Sequence, residues 1–230
     1  TMRTKVSVSE LKHRAMDKLI EEEMVERILP VRQETGQFLA RQQEPQDRQQ
    51  ERERYVPAFM EGIQEENMGA KRGTAMHRVL ECYDFTKDAG SLKEQMAWME
   101  EQGRIEKDLL VLVSFPALQR FLETPLGQRM HRAACAGKLY KEKPFVMGKP
   151  AKEALEESSS EEMILIQGII DVFFEEEDGI VLLDYKTDHV RNKKELAERY
   201  RTQMELYAQA LERALFCPVK EKLLYSFCLH

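Results

Sequence analysis

Two stretches of this sequence are nearly continuous runs of aliphatic, β-branched and aromatic residues, yet charged side chains stand inside them. MILIQGIIDVFF (163–174) carries Gln167 and Asp171, and IVLLDYKTD (180–188) carries Asp184 and Lys186. Side chains on a strand alternate faces, so Asp184 and Lys186 share one. If the connecting loop spans Glu176 to Gly179, Asp171 lies directly opposite Asp184, with Cβ atoms about 4.5–5.5 Å apart. A two-residue loop at Asp178-Gly179 puts Asp171 opposite Lys186 instead. Either loop gathers two carboxylates and an ammonium on one face, and an odd loop or a bulge separates them. Paired carboxylates in an apolar sheet repel, so one takes up a proton or a divalent cation sits between them. A hard, oxygen-liganded ion such as Mg2+ or Mn2+ suits such a site. The lysine can hold a water or contact a phosphate oxygen, and metal and lysine together stabilise charge developing on a phosphoryl group. That is the chemistry of phosphodiester hydrolysis. A bare Asp-x-Lys is commonly a surface ion pair. Here that account leaves three charges inside apolar strands unexplained.

The elements that must position these residues follow from periodicity and turn signals. Met163–Phe174, the EEEDG turn and Ile180–Asp188 read as a β-hairpin, with Lys138–Met147 a preceding strand and Lys220–Leu229 a last one. Helices are expected over Ser9–Leu29, from Gly73 through GTAMHRVLECYDF, over Ser91–Gln102, over Pro116–Ala134 with a break at TPLGQ, and over Lys193–Leu215. RQQEPQDRQQERER (41–54) has no aliphatic or aromatic residue and reads as a tether or an exposed, frayed helix. Glu153–Glu162 reads as a mobile acidic loop. The 230 residues are 42% hydrophobic, enough for a real core. No apolar run approaches the roughly 18 residues of a membrane span. Cys82, Cys135, Cys217 and Cys228 lie far apart, which speaks against a zinc knuckle or a disulfide framework and for a reducing cytoplasm. A net charge of -6 confines any nucleic-acid contact to local patches.

Four motifs occur in a telling order: G-T-A-M-H (73–77), G-I-I-D-V (168–172), L-L-D-Y-K-T-D (182–188) and Q-M-E-L-Y (203–207). In this the sequence resembles the RecB-type branch of the PD-(D/E)XK nucleases. More narrowly it looks like the C-terminal nuclease module of the bacterial AddAB-type helicase–nucleases, from S-V-S-E-L (7–11) through Phe227. The resemblance implies an α/β restriction-endonuclease-like core, a central mixed β-sheet flanked by helices. Residues 71–230 would form the nuclease domain and 1–70 a helical extension and polar tether, partly disordered. It implies Mg2+-dependent cleavage of single-stranded DNA, with Mn2+ able to substitute, in a bacterial cytoplasm. Helicase domains of the same parent polypeptide and an AddB-type partner subunit would be its neighbours, with no membrane involved. Metal ligation would fall to Asp171, Asp184 and the main-chain carbonyl of Tyr185. Lys186 would be the catalytic lysine, and Glu142, in Y-K-E-K-P-F, takes the place of the family's upstream glutamate. The iron–sulfur variants of the family carry a tight C-terminal cysteine cluster, whereas Cys217 and Cys228 are eleven apart, so no cluster is expected.

The remaining polar residues have two readings each. His77 is a half-buried structural histidine on general grounds. On the resemblance it is a metal ligand or phosphate contact. Gln203 and Tyr207, four apart on one helix face, either cap a strand or, as the family's Q-x-x-x-Y pair, steer the substrate. Lys138, Lys141, Lys143, Lys149 and Lys152, and again Arg191, Lys193 and Lys194, flank the site in sequence and could track phosphates, Lys143 foremost. Trp98 and the Met-rich helix around it read as core. The competing function is a catalytically weak nuclease fold used for DNA binding or subunit docking. Intact Asp171, Asp184 and Lys186 argue against it.

Overall fold

The computed structural model describes residues 5–8, 11, 58–154 and 159–228. The helix expected over Ser9–Leu29, apart from Leu11, and the polar run 41–54 lie outside the described residues, as do residues 155–158 of the acidic loop.

Among the described residues, five strands form one mixed sheet: β1 (Lys5–Ser7), β2 (Leu139–Pro150), β3 (Met163–Glu176), β4 (Gly179–Lys186) and β5 (Val219–Ser226). The long β3 is its axis. Antiparallel β2 runs along one edge from Leu139↔Phe174 to Pro150↔Met163. The other edge is shared, with parallel β1 against residues 165–167 and antiparallel β4 against residues 172–176. Between them, residues 168–171 have no strand partner on that edge among the described residues. β5 lies parallel to β4 on its far side.

The hairpin takes the register that places Asp171 opposite Asp184: Glu176 pairs with Gly179, and Val172 with Leu183. Gly179 has φ +143°, and a Cβ there would come within 2.8 Å of the Pro218 carbonyl oxygen, so the turn needs glycine.

Helices cover both faces of the sheet. α1 (Ala58–Cys82), α2 (Leu92–Glu101), α3 (Lys107–Leu110), α4 (Phe115–Glu123) and α5 (Pro125–Cys135) lie on one side, and α7 (Lys193–Leu215) on the other; α6 (Ala151–Ala154) follows β2. α1 runs through residue 70, where the extension was expected to give way to the nuclease domain, and Val6, Val8 and Leu11 are buried in the core. The TPLGQ break separates α4 from α5, where Thr124 Oγ1 accepts the Gly127 N–H at 3.0 Å. Asn192 caps α7 by accepting the Glu195 N–H at 2.9 Å. The α1 side buries Val79, Leu118, Phe121 and Met130 against Val172, Phe174, Val181 and Leu183; the α7 side buries Met204, Tyr207 and Leu211 against Ile166, Ile170, Ile180 and Leu182. Each such side chain contributes about 1.5–3 kcal/mol.

The strand alternation inverts at one point. Ile164, Ile166 and Ile170 pack toward α7, but Val172 and Phe174, of the same parity, pack toward α1. On β2, Phe145 and Met147 belong to the α7 side and Leu139 to the α1 side. The inversion falls where Glu142 faces Asp171, between the pairs Lys141↔Val172 and Lys143↔Ile170. Glu142 has φ +48°, a left-handed backbone that glutamate adopts at a cost of about 1–2 kcal/mol. The inversion coincides with this residue.

Two expectations are corrected. The buried stripe of α2 is Leu92, Met96 and Met99, and Trp98, one position off it, is 48% exposed. The basic run of residues 138–152, along β2 and its flanks, is not a uniform phosphate track. Lys141 turns inward and its Nζ donates to the carbonyls of Glu81 (2.6 Å) and Tyr83, closing the C-terminal end of α1. Lys149 donates to Gln209, and Lys152 pairs with Glu161. Lys138 and Lys143 stay exposed.

Candidate active site

The site lies where β3 and β4 part. Their ladder ends at Val172↔Leu183, and one residue further Asp171 takes over with its side chain. Asp171 Oδ2 accepts the Tyr185 N–H at 3.1 Å and stands 3.3 Å from His77 Nδ1. His77 Nε2 is 3.1 Å from the Tyr185 carbonyl oxygen. A carbonyl only accepts, so Nε2 carries the hydrogen, and in the neutral ring Nδ1 is left as the lone-pair atom facing Asp171. That tautomer is the one a cation beside Asp171 requires. The Tyr185 carbonyl, implied as a ligand by the resemblance, is here the group that orients His77.

α1 reaches this position because Gly73 presses against the end of β4. A Cβ at Gly73 would lie 2.7 Å from Thr187 Oγ1. One turn later His77 arrives over the opening. Its ligand atom and those of Glu142 and Asp171 all lie within 4.8 Å of one another. Hard carboxylate oxygens with one imidazole suit a divalent cation. A cleft of about 420 Å³ lined by Gly73, Thr74, His77, Arg78, Glu81 and Glu142 opens the group to solvent.

On the α7 side, Asp184 is 1% exposed. Its Oδ1 accepts from Gln203 Nε2 at 3.0 Å, and its Oδ2 pairs with the Lys186 ammonium. The same Gln203 nitrogen donates to the Tyr207 hydroxyl at 3.0 Å. Lys186 Nζ sits 4.1 Å over the centre of the Tyr200 ring. The shared-face geometry expected for Asp171 and Asp184 is therefore divided. Among the described residues, Asp171 groups with His77 and Glu142, while Asp184 is held by Lys186 and Gln203. Gln203 and Tyr207 lie behind Asp184, both buried, where they orient a carboxylate. Lys143 is exposed one residue from Glu142. Sequence reasoning missed the Tyr200 ring contact and the Gly73–Thr187 approach. The first had a signal in the spacing, since Tyr200 precedes Gln203 by one helical turn.

Burial, and after it the Asp171 charge, push the Glu142 carboxyl up to about 7. Its ordinary value is 4.5, so below that both the folded and the unfolded chain hold the proton and the contribution is fully present. As pH rises through about 7 the folded protein must release a proton that it binds more tightly than the unfolded chain does, and stability falls. Glu142 is only half-buried, so the loss is discounted to about 1–2 kcal/mol. Metal-free Glu142→Gln should match the wild type near about pH 4 and exceed it by that amount near about pH 8. Chemical denaturation at the two values checks this. Equal stabilities at the higher pH would remove Glu142 as the source.

A five-stranded mixed sheet between helices, with His77, Glu142 and Asp171 gathered beside an Asp-x-Lys strand end, defines a class of enzyme. The chain belongs to the PD-(D/E)XK nuclease superfamily, whose sequence model matches residues 50–228. Nucleases of this superfamily generally use divalent metals. Among curated proteins the chain is 36% identical over 211 residues to the A-type subunit of the ATP-dependent helicase/nuclease of Lachnoclostridium phytofermentans, covering 76% of this chain and 15% of that one. It is 40% identical over 177 residues to the protein of the same name from Alkaliphilus oremlandii, covering 74% and 14%. With the Clostridium perfringens protein, also of that name, identity is 38% over 193 residues, covering 80% and 15%. The chain thus spans about one-seventh of the length of these relatives.

Proposed function

We propose that this chain is the DNA-cleaving module of an AddAB-type helicase–nuclease, an exonuclease that hydrolyses single-stranded DNA during double-strand-break processing for recombinational repair. The observation that carries this reading is the convergence of His77, Glu142 and Asp171 next to the Asp184–Lys186 pair. Mg2+, replaceable by Mn2+, would be held by His77, Glu142, Asp171 and Asp184. A bound metal supplies positive charge to a phosphate oxygen and lowers the pKa of a water.

The chain's own residues do the rest. Tyr185 fixes the His77 tautomer through its carbonyl, and Gln203 and Tyr207 hold Asp184 in one orientation. Lys186 places an ammonium where a phosphoryl oxygen gains charge. Exposed Lys143, with Arg191, Lys193 and Lys194, is available to phosphates flanking the scissile bond. The helicase domains would belong to the same parent polypeptide and a second, AddB-type subunit to the same complex, in the bacterial cytoplasm. Among the described residues no helix is long and apolar enough to cross a membrane.

The test is incubation of the purified chain with end-labelled single-stranded and duplex DNA in Mg2+, with and without EDTA. Cleavage of the single strand in preference to the duplex, abolished by EDTA, is expected. Activity that persists in EDTA overturns the metal assignment, and tight DNA binding in Mg2+ without cleavage points to a docking module.

A further inference from the structure

We propose that Tyr200 is the positioning residue for Lys186: its ring is the platform that keeps the ammonium at the site when the Asp184 carboxylate is drawn to another partner. This rests on the nuclease reading above and adds a part that reading does not contain. Among the described residues Lys186 is held by the Asp184 carboxylate and by the Tyr200 ring face at 4.1 Å. The first is the group that a bound cation would also engage. An ammonium whose only restraint was Asp184 would lose it in the state in which it is needed.

The ring does not share that weakness, because a cation attracted to an aromatic face is held independently of the carboxylate's other contacts. Tyr200 is itself fixed. It is 1% exposed on α7, and its hydroxyl donates to Asp188, two residues beyond Lys186, the last residue of β4. Arg199 Nη1 stands 3.8 Å from that Asp188 carboxylate, and Arg199 Nη2 donates to Glu195 at 2.9 Å, tying the arrangement to the first turns of α7. Strand end, helix face and lysine are thus locked together through one aromatic residue. The side chain of Lys186 is left 12% exposed.

The ring face and the hydroxyl are separated by two substitutions. Tyr200→Phe keeps the face and loses the bond to Asp188; Tyr200→Leu loses both while remaining apolar. Two measurements are made on the full chain. One is the rate at which Lys186 is acetylated by acetic anhydride in the metal-free protein, read by mass spectrometry, which does not depend on cleavage. The other is single-turnover cleavage of single-stranded DNA at saturating Mg2+, beside DNA affinity measured in Ca2+. Tyr200→Leu should acetylate Lys186 several-fold faster than wild type. Its cleavage rate should fall about 10- to 100-fold with DNA affinity unchanged, the scale of a catalytic group misplaced by about 1 Å. Tyr200→Phe should stay within about threefold of wild type in both, since the face persists.

The proposal is overturned if Tyr200→Leu leaves acetylation and cleavage at wild-type levels, or if Tyr200→Phe loses as much as Tyr200→Leu. A residue that served only to fill the core would lower the melting temperature in Tyr200→Leu without changing the rate of the folded fraction, which also overturns it. Should Tyr200→Leu fail to fold, Tyr200→Met, whose flexible chain fills the same space, carries the same comparison. If the wild-type chain cleaves nothing, the nuclease reading fails while the acetylation rates still decide whether Tyr200 holds Lys186.

Discussion

Asp171→Asn is expected to leave less than a few per cent of the wild-type cleavage rate and to weaken Mg2+ or Mn2+ binding in parallel, with the fold unaltered. Asparagine retains an oxygen that can accept the Tyr185 N–H, now bonded to Asp171 Oδ2 at 3.1 Å, so the parting of β3 and β4 keeps its shape. What disappears is the negative charge facing His77 and Glu142, and with it most of the attraction for a cation. Alanine is the poorer test. It would leave a part-buried main-chain N–H without a partner, at a cost of about 1–3 kcal/mol, and mix a folding defect into the rate. Calorimetric titration with Mn2+ alongside single-turnover cleavage checks the expectation. An Asn variant that bound metal normally and kept a tenth of the rate would take Asp171 out of the metal site.

For Lys186→Ala the expected loss is about two to four orders of magnitude in rate, the scale of removing one electrostatic stabiliser or proton-transfer group. The structure adds a second consequence. Asp184 is buried and paired with this ammonium, so metal-free Lys186→Ala should lose about 3–5 kcal/mol of stability, as when one member of a buried ion pair is removed. Metal affinity should rise, because repulsion of the cation is relieved. Mg2+ then separates two roles for the lysine. If Lys186 only neutralises Asp184, saturating Mg2+ restores stability and cleavage together. If it acts on the phosphate, Mg2+ restores stability and leaves the rate low. Thermal unfolding with and without Mg2+, beside single-turnover cleavage, reads both, and near-normal cleavage at saturating metal would remove Lys186 from the catalytic residues.

What was legible in the sequence is what local physics encodes. The hairpin register followed from the turn and the two-residue period, and one of the two registers considered is the one adopted, pairing Val172 with Leu183. α7 spans Lys193–Leu215, the range expected from the sequence. The break between α4 and α5 followed from Thr124-Pro125. The division of the carboxylates was not legible, because the β3–β4 ladder ends at Val172↔Leu183, a boundary that no residue type signals, and because Glu142 takes a left-handed backbone, for which glutamate gives no signal as glycine or asparagine would. Nor could a charge count show that Lys141 closes the end of α1, since that contact joins residues about 60 apart. Trp98 was misassigned because hydrophobicity alone does not say which side of a short helix faces inward. The three residues of β1 are too few to carry any period, and their strand identity comes wholly from β3.

That dependence has a kinetic side. Lys5 pairs with Leu165, so β1 and its partner are 160 residues apart in the chain, whereas β3 and β4 meet across two. Closing so long a loop costs more entropy than closing the hairpin, and such contacts form late. During synthesis at about 5–20 residues per second, β1 waits roughly ten to thirty seconds for residues 165–167 to be made. Until β1 docks, that stretch of β3 has an open edge, and it carries the exposed Leu165. An unpaired apolar edge is a template for association with another chain. Docking of β1 thus covers an edge of the nascent sheet that is otherwise open to another chain.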